Sequence, residues 1–590
     1  MHSLDLFDTT TRENIAAWLD GPYGEETKNE IKRLLTENPK ELEDCFFQRL
    51  SFGTGGIRAL MGVGTNRLNP FTIQFATQGV ANYLKKIYPS PKDRSLKVLI
   101  GYDNRNNSSL FATECARVLA GNGIKAFLFE ELRPTPLISF GCRLLGCQGA
   151  IMITASHNPP AYNGFKVYGS DGGQVLPPYD QKIIDEVALV RSPTDVKIAS
   201  FDHPLIEKIL AKLDRAYLDH LFSLNHWERQ NKKEGKQLKI IYTNLHGTGL
   251  TLLPQALSDW GFTSISYVED QKSFDGNFPN ARVPNPEEPE ALKEGIQLLM
   301  HKKADILLAT DPDADRIAAV ILHQEKPIIL SGNELASLLL YHICSSLKEK
   351  QQLPANGAVV KSIVTSELFN AIATGFGMNC FDVLTGFKYI SQLVEQWSQT
   401  QEYTFVLGAE ESYGYLAHTF ARDKDAISTG CLIAEMALRA KLENKTLFDL
   451  LLQLYAEYGI YQESVFSAIY PEGKEGMKQM DKIMTALRKN PPRLFGNAEL
   501  LFLEDYLESC AFDLISKKTI SLSLPKSNVL RFWLDDNSKI VIRPSGTEPK
   551  IKIYVGVVEK NVFHIQEQIK MCKERTQALL QSVKSFLFKS

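Results

Sequence analysis

The chain has no uninterrupted apolar run long enough to cross a bilayer, and Met1 to Asp8 lack a basic segment followed by an apolar one. Neither a membrane span nor an export signal is expected. Cysteine is sparse: nine residues are scattered through 590, Cys142 and Cys147 are the closest pair, and there is no CxxC motif. A disulfide framework is therefore excluded, and reduced thiols in a cytoplasm fit best. An excess of one charge is missing as well. Sixty-six Lys and Arg against 69 Asp and Glu leave a net charge of -3, which gives no global field for nucleic acid or an anionic membrane. Any phosphate recognition has to be local.

What is present is an ordinary globular composition, 44% apolar and 23% charged, in a chain too long for one core. Domains of about 100 to 200 residues are expected. Residues 1 to about 50 read as a polar helical extension, with Thr11-Arg12-Glu13-Asn14 opening an apolar-periodic stretch. From Leu96 the pattern alternates: a strand at Val98 to Tyr102, a helix at about Leu110 to Ala120, a strand at Ile124 to Phe129, a further helix, and a strand before Ser156. The same rhythm returns from Lys239 and again from about Pro327 to Glu457. Polar stretches at Asn225 to Gln237 and Tyr470 to Gln479 read as connectors. Beyond 500, paired strands around Val529 to Leu534 and Ile551 to Val555 precede a long helix from Val562. The expected division is a helical extension at 1–50, three similar α/β domains at 51–205, 206–325 and 326–465, and an α+β domain at 466–590.

Chemistry-bearing residues gather where apolar strands end, which is where α/β proteins keep reactive groups. Thr154-Ala155-Ser156-His157-Asn158-Pro159 follows the run Ala150 to Ile153. A lone serine is usually a helix N-cap. Here no Gly-x-Ser-x-Gly surrounds it, and an adjacent His157 suits no protease triad, so a hydroxyl that carries a phosphoryl group is the better reading. Asp311-Pro312-Asp313-Ala314-Asp315-Arg316 follows Ile306 to Ala309. It is not an EF-hand, because position six is Arg316 and position twelve is Leu322; three hard oxygen donors suit Mg²⁺. Phe52-Gly53-Thr54-Gly55-Gly56-Ile57-Arg58 is a glycine-rich turn able to cradle phosphate but is not a Walker A sequence. Arg543-Pro544-Ser545-Gly546-Thr547-Glu548-Pro549 offers convergent donors to a dianion. Glu410-Glu411-Ser412-Tyr413-Gly414 places carboxylate and hydroxyl groups after the strand Phe405 to Leu407.

Taken in order, FGTGGIR, TASHNP, DPDADR, GAEESYG and RPSGTEPK resemble the α-D-phosphohexomutase superfamily of phosphoglucomutases and phosphomannomutases, in its long phosphoglucomutase/phosphopentomutase branch. The resemblance spans nearly the whole chain. It implies three α/β domains with mixed sheets and a C-terminal, TATA-binding-protein-like α+β domain around a central cleft. It further implies that Ser156 is the phosphoserine, that Asp311, Asp313 and Asp315 hold Mg²⁺ with its phosphate, and that His157, Lys166 and Arg58 surround the transferring group. Arg316, Gly386, Phe387, Lys388, Glu410 and Ser412 would face the sugar, and Arg543, Ser545, Gly546 and Thr547 the distal phosphate. Glucose 1-phosphate and 6-phosphate would interconvert through glucose 1,6-bisphosphate, with Lys166 as general acid/base. The implied enzyme is a cytoplasmic monomer or homodimer that acts on a small phosphosugar.

Gly55, Ala59, Pro312 and Ala314 depart from the commoner family pattern without removing a reacting side chain. Pentose and mannose phosphates stay open as substrates. A non-catalytic phosphosugar-binding protein is the alternative from another class. A phosphatase using Asp311 as nucleophile fits less well, because its motif would put Thr or Val where Asp315 stands.

Overall fold

The computed structural model describes residues 4–50, 56–89, 95–209, 212–471, 474–545 and 550–587. The N-terminal extension is helical, in three segments at Thr9–Asp20, Glu25–Glu37 and Pro39–Phe46. The first begins two residues before Thr11, because the Asp8 carboxylate accepts from the Thr11 backbone N–H at 2.8 Å and so caps the helix. Trp18 stacks on Tyr23 with ring centroids 4.2 Å apart, and both meet Phe71 edge-on, which fastens the extension to the helix Pro70–Ile87.

The first α/β region contains β1 (Ile57–Leu60), β2 (Lys97–Tyr102), β3 (Lys125–Phe129), β4 (Gly149–Ile153), β5 (Tyr162–Tyr168) and β6 (Ile206–Ile209). Their order across the sheet is β1-β5-β4-β2-β3-β6. β2, β3, β4 and β6 run parallel, whereas β5 is antiparallel to both β4 and β1. Every residue of β4 is buried, as a central strand covered on both faces requires, and so it reads as a continuous apolar run.

The second region repeats the plan with β7 (Ile240–Thr243), β8 (Ile265–Tyr267), β9 (Ile306–Thr310), β10 (Ile317–His323) and β11 (Lys326–Ile329), ordered β11-β10-β9-β7-β8. The stretch expected to connect it to the first region holds a helix, Glu228–Glu234. Its Asn231 is buried and donates to Glu435 at 2.6 Å. A third region supplies β12 (Gly357–Ser362), β13 (Asn379–Val383), β14 (Thr404–Glu410) and β15 (Gly414–Leu416), with β12 and β13 paired in parallel.

The C-terminal region is an antiparallel sheet of β16 (Ile460–Ile469), β17 (Leu494–Phe495), β18 (Ala498–Asp505), β19 (Cys510–Asp513), β20 (Lys518–Ser521), β21 (Leu530–Leu534), β22 (Lys539–Pro544) and β23 (Lys550–Glu559). Two expectations need correction. The strands at 530–534 and 550–559 do not pair with each other; β22 lies between them and bonds to both. The expected connector at Tyr470 to Gln479 runs into the helix Lys474–Lys489, which buries Met480, Ile483, Met484 and Leu487 at helical spacing. The terminal helix, Ile565–Leu587, packs against β16 and β23. Three mixed α/β/α regions and a further β-rich region thus agree with the fold class expected from sequence.

The chain divides into two compact units. One comprises Met1–Leu330, Phe387–Leu407 and Ser412–Glu443; the other comprises Ser331–Gly386, Gly408–Glu411 and Asn444–Ser590.

Candidate active site

β4 delivers the chain to Thr154, whose Oγ1 accepts from the Ser156 backbone N–H at 2.8 Å. Ser156 then adopts a left-handed backbone with φ +51°, a sparsely populated conformation for a residue with a side chain. No helix follows; the next element is β5, so Ser156 is not an N-cap. Arg105 holds this turn. Its fully buried guanidinium donates to the backbone carbonyls of Ser156 at 2.6 Å, Pro159 and Tyr162 at 3.0 Å each, and also Asn158. Asp103 lies 3.4 Å from Arg105 Nε and supplies the opposite charge. Arg105 stands just after β2, in Asp103-Asn104-Arg105, and sequence reasoning did not single it out. Its position at a strand end was the available signal.

β9 delivers the acidic loop to the same place. The backbone N–H groups of Asp315 and Arg316 donate to Asp311 Oδ1 at 3.1 and 3.0 Å, folding the loop back on its first residue. A neighbouring turn braces it: Thr248 donates from both its backbone N–H and its hydroxyl to the Pro312 carbonyl, at 2.7 and 2.9 Å. At Gly247 a Cβ would stand 2.3 Å from the Pro312 Cα, so only glycine allows this approach.

The two loops meet side chain to side chain. Ser156 Oγ donates to Asp311 Oδ2 at 2.7 Å and lies 3.1 Å from His157 Nδ1. Lys166, from β5, donates to Asp313 at 2.7 Å and to Asp315 at 3.1 Å. Lys424 reaches Asp315 at 3.0 Å and Asp423 at 2.9 Å, and the Thr135 hydroxyl donates to Asp313 at 2.8 Å. Ser156, Lys166 and the three aspartates are all buried. Lys424 and Thr135, like Arg105, were missed from sequence.

Burial and the neighbouring Asp313 and Asp315 push the Asp311 carboxyl well above its usual range. Burial acts the same way on Asp313, but Lys166 beside it keeps it below the ordinary value. Asp315 is held far down against burial by Lys166, Lys424 and Arg316. Lys166 is itself desolvated, yet Asp313 and Asp315 raise its pKa, so it carries a proton. Burial, with Arg316 and Arg58 nearby, drives His157 well below its usual range and leaves a neutral imidazole.

The donor set fits a divalent cation. One oxygen from each of Asp311, Asp313 and Asp315 falls within 4.8 Å of the others. Asp313 Oδ1 and Asp315 Oδ1 are buried without a hydrogen-bond donor, an arrangement that hard oxygen ligation of a cation would satisfy.

The remaining expected residues are distributed as follows. Arg58 is exposed on β1, opposite Gly164 of β5, and the Arg316 guanidinium pairs with Glu287 at 2.5 Å. Phe387, Lys388 and Ser412 belong to the same unit as Ser156. There Lys388 Nζ lies 3.7 Å from Asp180 Oδ2, and Lys424 Nζ sits 5.3 Å from the Phe387 ring centroid. The other unit holds Gly386, Glu410, Arg543 and Ser545. Within it the Gly386 N–H donates to Glu410 Oε1 at 2.8 Å, Arg543 donates to the Thr385 hydroxyl, and the Ser545 N–H donates to the Lys550 carbonyl at 2.8 Å. Residues 52–55 of the glycine-rich motif, with Gly546 and Thr547, lie outside the described residues.

The serine hydrogen-bonded into a buried triple-aspartate cluster lies within a chain that resembles known proteins over most of its length. Models of phosphoglucomutase/phosphomannomutase α/β/α domains I, II and III match residues 49–192, 215–324 and 331–458. A phosphoglucomutase of Staphylococcus aureus (strain bovine RF122 / ET3-1) is 36% identical over 533 residues, covering 90% of this chain and 93% of that protein. The chain belongs to the phosphoglucomutase/phosphomannomutase family. A second family relative, a phosphoglucomutase of Staphylococcus haemolyticus (strain JCSC1435), is also 36% identical, over 89% of this chain and 94% of its own. Among solved structures, the fold matches a putative phosphomannomutase of Thermus thermophilus (TM-score 0.66, 20% identity, 92% of this chain and 99% of that one). It also matches the open form of the Paramecium phosphoglucomutase pp63/parafusin (TM-score 0.64, 18% identity, 91% and 96%).

Proposed function

We propose that this family member is a phosphoglucomutase that interconverts glucose 1-phosphate and glucose 6-phosphate through a phosphorylated Ser156. The observation that carries the reading is the 2.7 Å bond from Ser156 Oγ to Asp311, inside a carboxylate cluster shared with Lys166. The 36% identical relatives named phosphoglucomutase support the choice of sugar. The five divisions of the chain then carry an extension, the phosphoserine loop, the metal loop, the sugar-recognition loop and the phosphate loop in turn.

In the resting enzyme Ser156 carries a phosphoryl group. The free hydroxyl of the bound sugar monophosphate attacks it, giving glucose 1,6-bisphosphate; the sugar then turns over and returns its other phosphate to Ser156. The protonated Lys166 ammonium lies among the reacting groups and is the candidate general acid/base, while neutral His157 offers a ring nitrogen to Oγ without adding charge. Mg²⁺, held by Asp311, Asp313, Asp315 and an oxygen at Ser156, would neutralise charge on the transferring phosphoryl group. Arg58 and Arg316 add positive charge, as does Lys424. Lys388, Phe387, Gly386, Glu410 and Ser412 are assigned to the sugar, and Arg543, Ser545, Gly546 and Thr547 to the distal phosphate. The loose transition state of phosphoryl transfer calls for positioning and charge neutralisation of this kind more than for covalent help.

A small phosphosugar is the expected partner, not nucleic acid or membrane. Among the described residues no helix is long and apolar enough to cross a bilayer. The nine cysteines are unpaired, which fits the proposed cytoplasmic location. The deciding experiment compares kcat/KM for glucose 1-phosphate, ribose 1-phosphate and mannose 1-phosphate, with Mg²⁺ and a trace of glucose 1,6-bisphosphate. A large preference for glucose 1-phosphate is expected. Preference for the pentose or for mannose would make the enzyme a phosphopentomutase or a phosphomannomutase, and no turnover of any of the three would make it a binding protein.

A further inference from the structure

The second unit contains a closed ring of buried and half-buried charges that the phosphoryl-transfer cluster does not use. Lys539 and Arg543 lie four residues apart on β22 and so point to the same face of the strand. Lys539 is 5% exposed, and its ammonium donates to the carbonyls of Ile363 (3.1 Å) and Thr365 (2.8 Å) and to Glu367 Oε1 (2.7 Å). All three acceptors lie just beyond the end of β12. Lys361, buried in β12, bridges Glu367 at 2.9 Å and Asp382 at 2.8 Å. Arg531 of β21 donates to Asp382 at 2.6 Å and to both oxygens of Glu504, at 2.6 and 3.0 Å. Three residues past Asp382 stands Thr385, whose hydroxyl accepts from Arg543, and the next N–H, from Gly386, donates to Glu410. The circuit therefore returns to β22 after passing both the loop assigned to the sugar and the arginine assigned to the distal phosphate.

Buried ion pairs contribute little net stability, because desolvation offsets their attraction; their best-attested use is to fix register. We propose that Lys539 is a positioning residue that sets the spacing between Arg543 and Glu410, the phosphate and sugar contacts that the second unit supplies. This rests on the phosphoglucomutase reading. A Lys539 ammonium held by two carbonyls and a carboxylate lets β22 take only one position along the β12 end. Arg543 is then presented at one distance from the sugar-reading carboxylate, and a sugar phosphate whose hydroxyls do not match that distance loses one contact or the other.

The test uses the full-length enzyme and its Lys539→Met and Lys539→Arg variants, assayed with glucose 1-phosphate and mannose 1-phosphate. Methionine matches the volume of the lysine stem and leaves Glu367 paired with Lys361, which favours folding. Lys539→Met is expected to raise KM for glucose 1-phosphate by about tenfold and to lower the glucose-over-mannose preference, with kcat held within about threefold. Lys539→Arg is expected to recover most of the KM. Unchanged KM and preference, or an equal fall in kcat and kcat/KM at constant KM, would overturn the proposal. If Lys539→Met does not fold, Glu367→Gln, which keeps the two carbonyl bonds, should shift KM in the same direction by less, and unaltered constants in that variant would overturn it. The wild-type enzyme separates the two readings: inactivity on every phosphosugar defeats the function itself, whereas an active wild type with unaltered variants defeats only the role of Lys539.

Discussion

Both units bury charged side chains in quantity, and they do so in opposite ways. Around Ser156 the arrangement is left incomplete: Asp313 Oδ1 and Asp315 Oδ1 have no donor, and the serine backbone sits in a left-handed conformation. Around Lys539 and Arg531 each cation meets two or more acceptors, and each carboxylate a cation. Unpaired buried acceptors cost folding free energy and survive where a ligand completes them, whereas closed networks hold geometry. The difference separates the cluster proposed to change bonds from the network proposed to position Arg543 and Glu410.

The strongest way to break this contrast is Ser156→Ala. It should remove nearly all turnover, at least about 10³-fold, with little change in melting temperature, because the lost group is the proposed phosphoryl carrier. Full activity would end the phosphoserine mechanism. Arg105→Ala should come next. Removing a buried guanidinium strands Asp103 and four carbonyls, at a cost of about 3 to 5 kcal/mol measured by urea unfolding. A loss under about 1 kcal/mol would show that the Ser156 turn holds itself.

Arg543→Ala sharpens the other side. A charged hydrogen bond to phosphate is worth about 1.5 to 3 kcal/mol, so kcat/KM should fall by the corresponding one to two powers of ten, chiefly through KM. Unchanged constants would remove Arg543 from the site. The pH dependence of the same unit turns on Glu463 on β16, whose carboxyl burial raises to a pKa of about 7, with Ser366, Lys539, Glu334 and Glu367 around it. An acid whose pKa is higher in the folded than in the unfolded chain favours folding below the unfolded value, and that benefit is lost as pH rises. Glu463 should therefore contribute a decline in stability from about pH 4.5 through about 7, and Glu463→Gln should remove that contribution from melting-temperature curves recorded from pH 5 to 8. Parallel curves would refute it.

The sequence revealed the candidate reacting loops because each consists of polar residues placed directly after an apolar strand: Ser156 after β4 and Asp311 after β9. It did not reveal the residues that hold them. Arg105, Thr135 and Lys424 are single polar residues whose partners in these two loops lie tens to hundreds of positions away, and only topology brings them together. Strand partners in the C-terminal sheet were hidden for a related reason. Spacing along the chain indicates that 530–534 and 550–559 are strands, but not that β22 separates them. The helix at Lys474–Lys489 escaped because its apolar stripe begins at Met480, just beyond the polar run that marks its start.

The left-handed turn at Ser156 also restricts which alcohol side chain suits this position. Threonine carries the same hydroxyl but branches at Cβ, and at φ +51° that branch crowds its own backbone. A hydroxyl on an unbranched carbon suits this bend better, so the proposed phosphate carrier matches the shape of the turn as well as the chemistry of oxygen.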